Sequence, residues 1–145
     1  MKYIYSTLFL VLLLSFSAFK AKSQCAYDLS KEDIENSISG YQYVKSLRID
    51  GKRGRLQALE YTIVMKKDKQ YKFAIRTPEG DANANGIVMK IYERRSKQRV
   101  FTNFSSGGLG TDLTFTAKKT GLYDIRFSFK GSKSYCGIVV CGQQM

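Results

Sequence analysis

The sharpest chemical motif in the chain is Asp81-Ala82-Asn83-Ala84-Asn85-Gly86. It matches the first half of a calcium loop, in which alternate side-chain oxygens converge and a glycine permits the turn. Asp81, Asn83 and Asn85 would be side-chain ligands and Ile87 a backbone one. The second half is missing: the twelfth position is Tyr92, and Glu93 comes one residue late. One carboxylate in a basic chain attracts a divalent cation weakly. Asn, Asp and Gly are also the ordinary residues of a polar turn. No metal site and no cofactor are expected, with Asp81, Asn83 and Asn85 as the one weak calcium candidate.

Catalytic chemistry is equally poorly supplied. The chain has no histidine, so the commonest general base and metal ligand is absent. A Cys–His or Ser–His nucleophile pair cannot exist. The 12 acidic residues stand singly in turns, in a helix or on outward strand positions. None lies on an evidently inward face, so a carboxylate pair of the glycosidase kind has no evident home. No catalytic residue is assigned, and the chain is not expected to be an enzyme.

The basic residues are better organised. Outward strand positions carry Lys66, Lys72, Arg76, Lys90, Arg94, Arg126 and Lys130. The turns add Lys52, Arg53, Arg55, Arg95, Lys97, Arg99, Lys118 and Lys119. If the strands stack in one or two sheets, some of these form a positive face. Lys66, Lys72, Arg76, Lys90, Arg94, Arg95, Arg126 and Lys130 are the candidate contacts to an anionic partner. That partner could be an acidic protein patch, an anionic glycan or a lipid surface. An ordinary solvated face with edge lysines that block aggregation has the same composition. The Gly-rich stretch 105–110 lacks the Gly-Lys-Ser/Thr ending of a phosphate loop and is expected to be a mobile connection.

These residues must be positioned by strands. After a short helix at 29–37, capped by Ser30 and ended by Gly40, the apolar period changes to two. Strands are expected at 43–49, 59–66, 71–76, 87–94, 99–104, 113–117, 123–129 and 135–140. The clearest alternation is Tyr123, Ile125, Phe127 and Phe129. About eight short strands at near-regular spacing, with no long helix between them, predict an antiparallel β-sandwich, jelly-roll-like, with one short N-terminal helix. The many tyrosines are read as core and cross-strand residues.

The first 23 residues set the compartment. Lys2 leads an apolar stretch over 4–19, and Ala21 and Ser23 are the small residues a secretory peptidase reads. The stretch is shorter than the roughly 20 residues that span a bilayer. Residues 1–23 are expected to be a signal peptide and 24–145 a single sandwich domain, exported to the periplasm, cell envelope or medium. A lipid anchor at Cys25 is the lesser alternative, because Lys22-Ser23-Gln24 departs from a lipobox. The leader takes Lys2, Lys20 and Lys22 and no acid, so the full chain's +12 becomes +9. Export argues against nucleic acid as the anion.

Export also permits disulfides. The cysteines are Cys25, Cys136 and Cys141. Cys136 and Cys141 lie in one extended run, about 16 Å apart, too far to bridge. Cys25–Cys136 is the favoured pair and Cys25–Cys141 the alternative, with the remaining thiol acting as a small buried apolar residue.

Over 111–130 the chain carries Leu113-x-Phe115-x-Ala117-x-x-Thr120-Gly121-x-Tyr123-x-Ile125-x-Phe127. This resembles a hairpin that recurs in secreted β-sandwich modules, among them bacterial pre-peptidase C-terminal domains and GOLD-type lumenal domains. The leader, the early cysteine and the late Tyr-Cys-Gly are similar to small exported proteins of Bacteroidetes-type bacteria. The resemblance implies a sandwich whose turn falls at Gly121, and a module that binds or assists a neighbour. It transfers no functional residue. The expected function is a non-catalytic exported binding or accessory protein, part of or assisting a cell-envelope assembly. The alternative is a binder of anionic glycan or membrane surface through a basic sheet face.

Overall fold

The computed structural model of the chain describes residues 25–52, 55–78, 80, 86–105, 108–130 and 135–145. The expected leader 1–23, Gln24 and Arg53 lie outside them. The helix is α1 (Lys31–Ser37), with Ser30 and Asp33 forming a reciprocal capping box. The strands are β1 (Gln42–Asp50), β2 (Ala58–Met65), β3 (Gln70–Arg76), β4 (Ile87–Glu93), β5 (Gln98–Thr102), β6 (Phe104–Ser105), β7 (Gly108–Leu109), β8 (Asp112–Thr116), β9 (Gly121–Phe129) and β10 (Cys136–Gln143).

Two four-stranded antiparallel sheets face each other, in the orders β1-β10-β3-β8 and β2-β9-β4-β5. Successive long strands mostly switch sheets, which is jelly-roll order. The inner faces meet in one core. Leu47, Ile49, Tyr71, Phe73, Ile75 and Val139 come from the first sheet, and Ile63, Met65, Met89, Ile91, Tyr123, Ile125 and Phe127 from the second. Aromatic pairs cross it, with ring centroids 6.0 Å apart for Phe115–Tyr123 and 5.8 Å for Phe101–Phe115. Phe115 and its two partners come from opposite sheets, so these contacts join the layers.

Two sequence expectations are corrected. The hairpin expected over 111–130 is a corner: β8 pairs with β3 in one sheet, and β9 pairs with β2 and β4 in the other. Leu113, Phe115, Tyr123, Ile125 and Phe127 do point inward, but from both sides. Alternation records only which side chains face the core, so a hairpin and a sheet-to-sheet corner look alike in sequence. The bend lies at 117–120, and Gly121 is already paired with Met65. The mobile connection expected at 105–110 contains a short ladder, Phe104↔Leu109 and Ser105↔Gly108.

Asn103 holds that segment to the sheet. Its Oδ1 accepts from the Met89 N–H at 2.7 Å, and its Nδ2 donates to the Ile87 and Gly110 carbonyls at 3.0 and 3.1 Å. The side chain is buried and stands in for a strand partner where β5 ends.

The outer face of the first sheet is covered in part. Ile38 packs on Ala74, Ile138 and Val140, with Tyr27, Leu29, Ile34 and Tyr41 around them. β10, and β3 at Ala74, are therefore buried on both faces, which explains why β10 runs apolar with little alternation while β3 still alternates. Gly142 is needed beneath this layer, because a Cβ there would meet the Cβ atoms of Tyr41 at 2.8 Å and Ile38 at 3.1 Å.

Cys25 is bonded to Cys136, across 111 residues of sequence. A closed loop that long restricts the unfolded chain by about 4–5 kcal/mol in the chain-entropy account. Cys141 points into the core as a buried free thiol, and burial pushes it up to about 12.

Two outcomes follow from these packings. Asn103→Ala leaves the Met89 N–H without its acceptor and should cost about 2–3 kcal/mol in urea unfolding. The raised Cys141 thiol contributes stability that is complete below its ordinary value of 9.0 and is lost as pH rises toward 12, with a slope of at most about 1.4 kcal/mol per pH unit. Cys141→Ala should show a shallower loss of stability than the natural chain between these pH values.

Candidate functional site: a basic pole

In an all-antiparallel sandwich each long strand runs the length of the barrel and each connection switches ends. The connections β2–β3, β4–β5 and β8–β9 thus share one pole. Backbone bonds tie the first and third directly: the Asp68 N–H donates to the Ala117 carbonyl at 2.8 Å and the Ala117 N–H to the Lys69 carbonyl at 3.1 Å. The Thr120 hydroxyl also accepts from the Lys67 N–H at 2.9 Å. The Arg94 N–H donates to the Leu122 carbonyl at 3.0 Å, which brings in the second connection.

The three connections carry Lys66, Lys67 and Lys69; Arg94, Arg95 and Lys97; and Lys118 and Lys119. All but the half-buried Lys69 are exposed. Lys67 has Asp68 at 3.9 Å, Lys119 has Glu93 at 3.2 Å, and Arg94 has Asp124 at 3.9 Å. Lys66, Lys69, Arg95, Lys97 and Lys118 have no ion-pair partner among the described residues. Such an excess of one sign raises the local concentration of anions.

The pole is concave. A groove of about 840 Å³ runs between the 94–96 turn and the 119–123 segment, lined by Arg94, Arg95, Lys119 and Leu122. A smaller hollow of about 320 Å³ adjoins it across Glu93, Lys119 and Tyr123. Glu93 stands on an inward strand position at the mouth of the core, contrary to the expectation that no acid does. Its carboxylate accepts from Lys119 Nζ and, at 3.1 Å, from the Ser96 hydroxyl. Asp124 is buried on the outer face and accepts from the Thr62 hydroxyl at 2.7 Å. Both carboxylates are committed to local partners.

The eight basic residues singled out from sequence do not share a face. Lys66, Arg94 and Arg95 belong to the pole. Lys90 and Arg126 are cross-strand partners on the outer face of the second sheet. There Arg126 pairs with Glu60 and lies over the Tyr92 ring, 4.7 Å from its centroid. Lys130 sits toward the far end, 4.2 Å from the Phe104 ring centroid. Lys72 and Arg76 are on the opposite sheet, and Arg76 is engaged by Asp112 at 2.9 Å and by the Ser37 hydroxyl. Asp81, Asn83 and Asn85 lie outside the described residues. Among the described residues no group of three His, Cys, Asp or Glu is placed to hold a metal ion.

Sequence reasoning missed Lys67 and Lys69, and it scored Lys118 and Lys119 without joining them to Arg94 and Arg95. A usable signal was present: in an antiparallel sandwich every second connection lies at the same end, and those at 66–69, 94–97 and 117–120 each carry at least two basic residues.

No protein-family model matches the chain, and no curated protein matches it in sequence. Its fold is that of a solved structure, the periplasmic lysozyme inhibitor of g-type lysozyme, PliG, from Aeromonas hydrophila. The two are 11% identical with a TM-score of 0.50, over 81% of this chain and 93% of PliG. At that identity the likeness is one of fold.

Crowded like charges make the pole self-repelling, and salt relieves this. The triple variant Lys66→Gln, Arg95→Gln, Lys118→Gln should be more stable than the natural chain at low salt, by up to about 1 kcal/mol. Its Tm should rise less as salt is added, which a thermal-melt series in sodium chloride would show.

Proposed function

We propose that this chain is a non-catalytic, exported binding protein whose partner is another exported protein, and that it assists or belongs to a cell-envelope assembly. The observation that carries this is the basic, grooved pole on a sandwich framework, where Glu93 and Asp124 are both engaged by local partners. The shared fold supports it, since PliG is a periplasmic protein that inhibits another protein. A fold alone does not transfer a target. The likeness of 111–130 to pre-peptidase C-terminal and GOLD-type modules fits the same class, because those modules bind or assist neighbours. In this reading residues 1–23 are a removed signal peptide, 24–145 act as one domain, and the chain works without a cofactor.

The second reading is a binder of anionic glycan or membrane surface. What favours it is the set of five cations at the pole without an ion-pair partner among the described residues. Contacts of that kind weaken as salt shortens the Debye length, whereas a packed protein interface largely persists.

The test is a pull-down from native envelope extract with residues 24–145 as bait, at low and high salt. A single protein held at near-equal stoichiometry through high salt is expected. Capture of glycan or lipid that vanishes in high salt would replace the first reading with the second. Purified g-type lysozyme is a direct added arm: retained activity in the presence of excess chain would remove that enzyme from the possible partners.

A further inference from the structure

Beside the cations the pole exposes two apolar side chains that the packing of this chain does not require. Val64 and Leu122 are direct cross-strand partners in β2 and β9. Both point away from the core, and they are 64% and 46% exposed. Tyr43, Val44, Val100 and Phe104 are also exposed, but Val64 and Leu122 stand directly opposite each other across one strand pair. Leu122 lines the larger groove together with Arg94, Arg95 and Lys119. Arg94 borders the pair on one side, held to the Leu122 carbonyl through its N–H and lying 3.9 Å from Asp124 through its guanidinium. Lys66 follows Val64 by two residues at the end of its strand.

An exposed apolar pair flanked by cations is a pattern found at protein contact sites. A sulfated glycan or polyphosphate gains from the cations but nothing from covering Val64 and Leu122. A second copy of this chain would bring an equally positive pole against the first, which costs energy. An acidic polypeptide segment with an apolar side chain meets both demands.

We infer that Val64 and Leu122 form the apolar anchor site for such a segment, an acidic stretch of a partner protein that lays one apolar side chain against this pair at the edge of the groove while its carboxylates meet Arg95, Lys66 and other cations of the pole. This rests on the protein-binding reading above and names the kind of partner.

The test is fluorescence anisotropy with three labelled probes at about 150 mM salt, where charge contacts are partly screened. The probes are a peptide of Asp and Glu with one central Phe, the same peptide with Ser at the centre, and a heparin oligosaccharide. The Phe peptide should bind about tenfold more tightly than the Ser peptide. Val64→Ser with Leu122→Ser should erase that difference and leave the Ser peptide and heparin unchanged. Leu122→Met should restore most of it. Both positions are exposed, and an unchanged Tm would verify the fold. Equal binding of the two peptides that still disappears in Lys66→Glu, Arg95→Glu, Lys118→Glu would overturn the anchor and leave the basic pole standing as a binding site. Heparin binding far above either peptide, or no peptide binding at all, would overturn the anchor. The pull-down separately decides whether the protein-binding reading falls with it.

Discussion

Everything in this molecule depends on the apposition of Tyr71, Phe73 and Ile75 on one sheet with Tyr123, Ile125 and Phe127 on the other. These side chains are almost wholly removed from water, and each aromatic buries a large area. Their burial demands that successive strands present alternate residues to a common layer. That in turn sends the chain back and forth between two sheets and two poles. The basic pole is a consequence of that traffic. No backbone feature of the three turns would bring them together without it.

The two ends of the sandwich differ. One end holds the staple: Cys25 is bonded to Cys136, which pairs with Asp50 at the end of β1. Tyr61 reinforces the same flank by donating its hydroxyl to the Arg48 carbonyl, which joins β2 to β1 across the open side of the sandwich. The other end holds Lys66, Arg95, Lys118 and their neighbours. Self-repulsion there works against folding. The covalent tie and the double-sided burial of β10 supply the stability against which that repulsion is tolerated. The stapled framework carries the charged end without asking its turns to contribute to the core.

The carboxylates give the pole its shape more than its charge. Glu93 draws Lys119 inward over the mouth of the core, and Asp124 draws Arg94 flat along the outer face. Between the two lies the groove that Leu122 enters. Each acid thus engages one cation beside the groove.

The period-two pattern of Tyr123, Ile125 and Phe127 was enough to read an all-β sandwich with about eight strands, and the Ser30 cap was enough to place the helix. Local residue chemistry decides such features, because each side chain's choice of face depends on its neighbours two and four positions away. The reach of an extended strand excluded a Cys136–Cys141 bridge, but the choice of Cys136 over Cys141 as the partner of Cys25 came from the tertiary structure. What the pattern could not say is which sheet each strand joins. Leu113, Phe115, Tyr123 and Ile125 look the same whether β8 and β9 pair with each other or with β3 and β2 across a corner. Nor could it show that Lys66, Arg95 and Lys118 converge while Lys72 and Arg76 face the other way. Amino-acid order by itself determined which residues are buried and which are charged. The tertiary structure alone decided which charged residues stand together, because that depends on strand pairing between segments tens of residues apart.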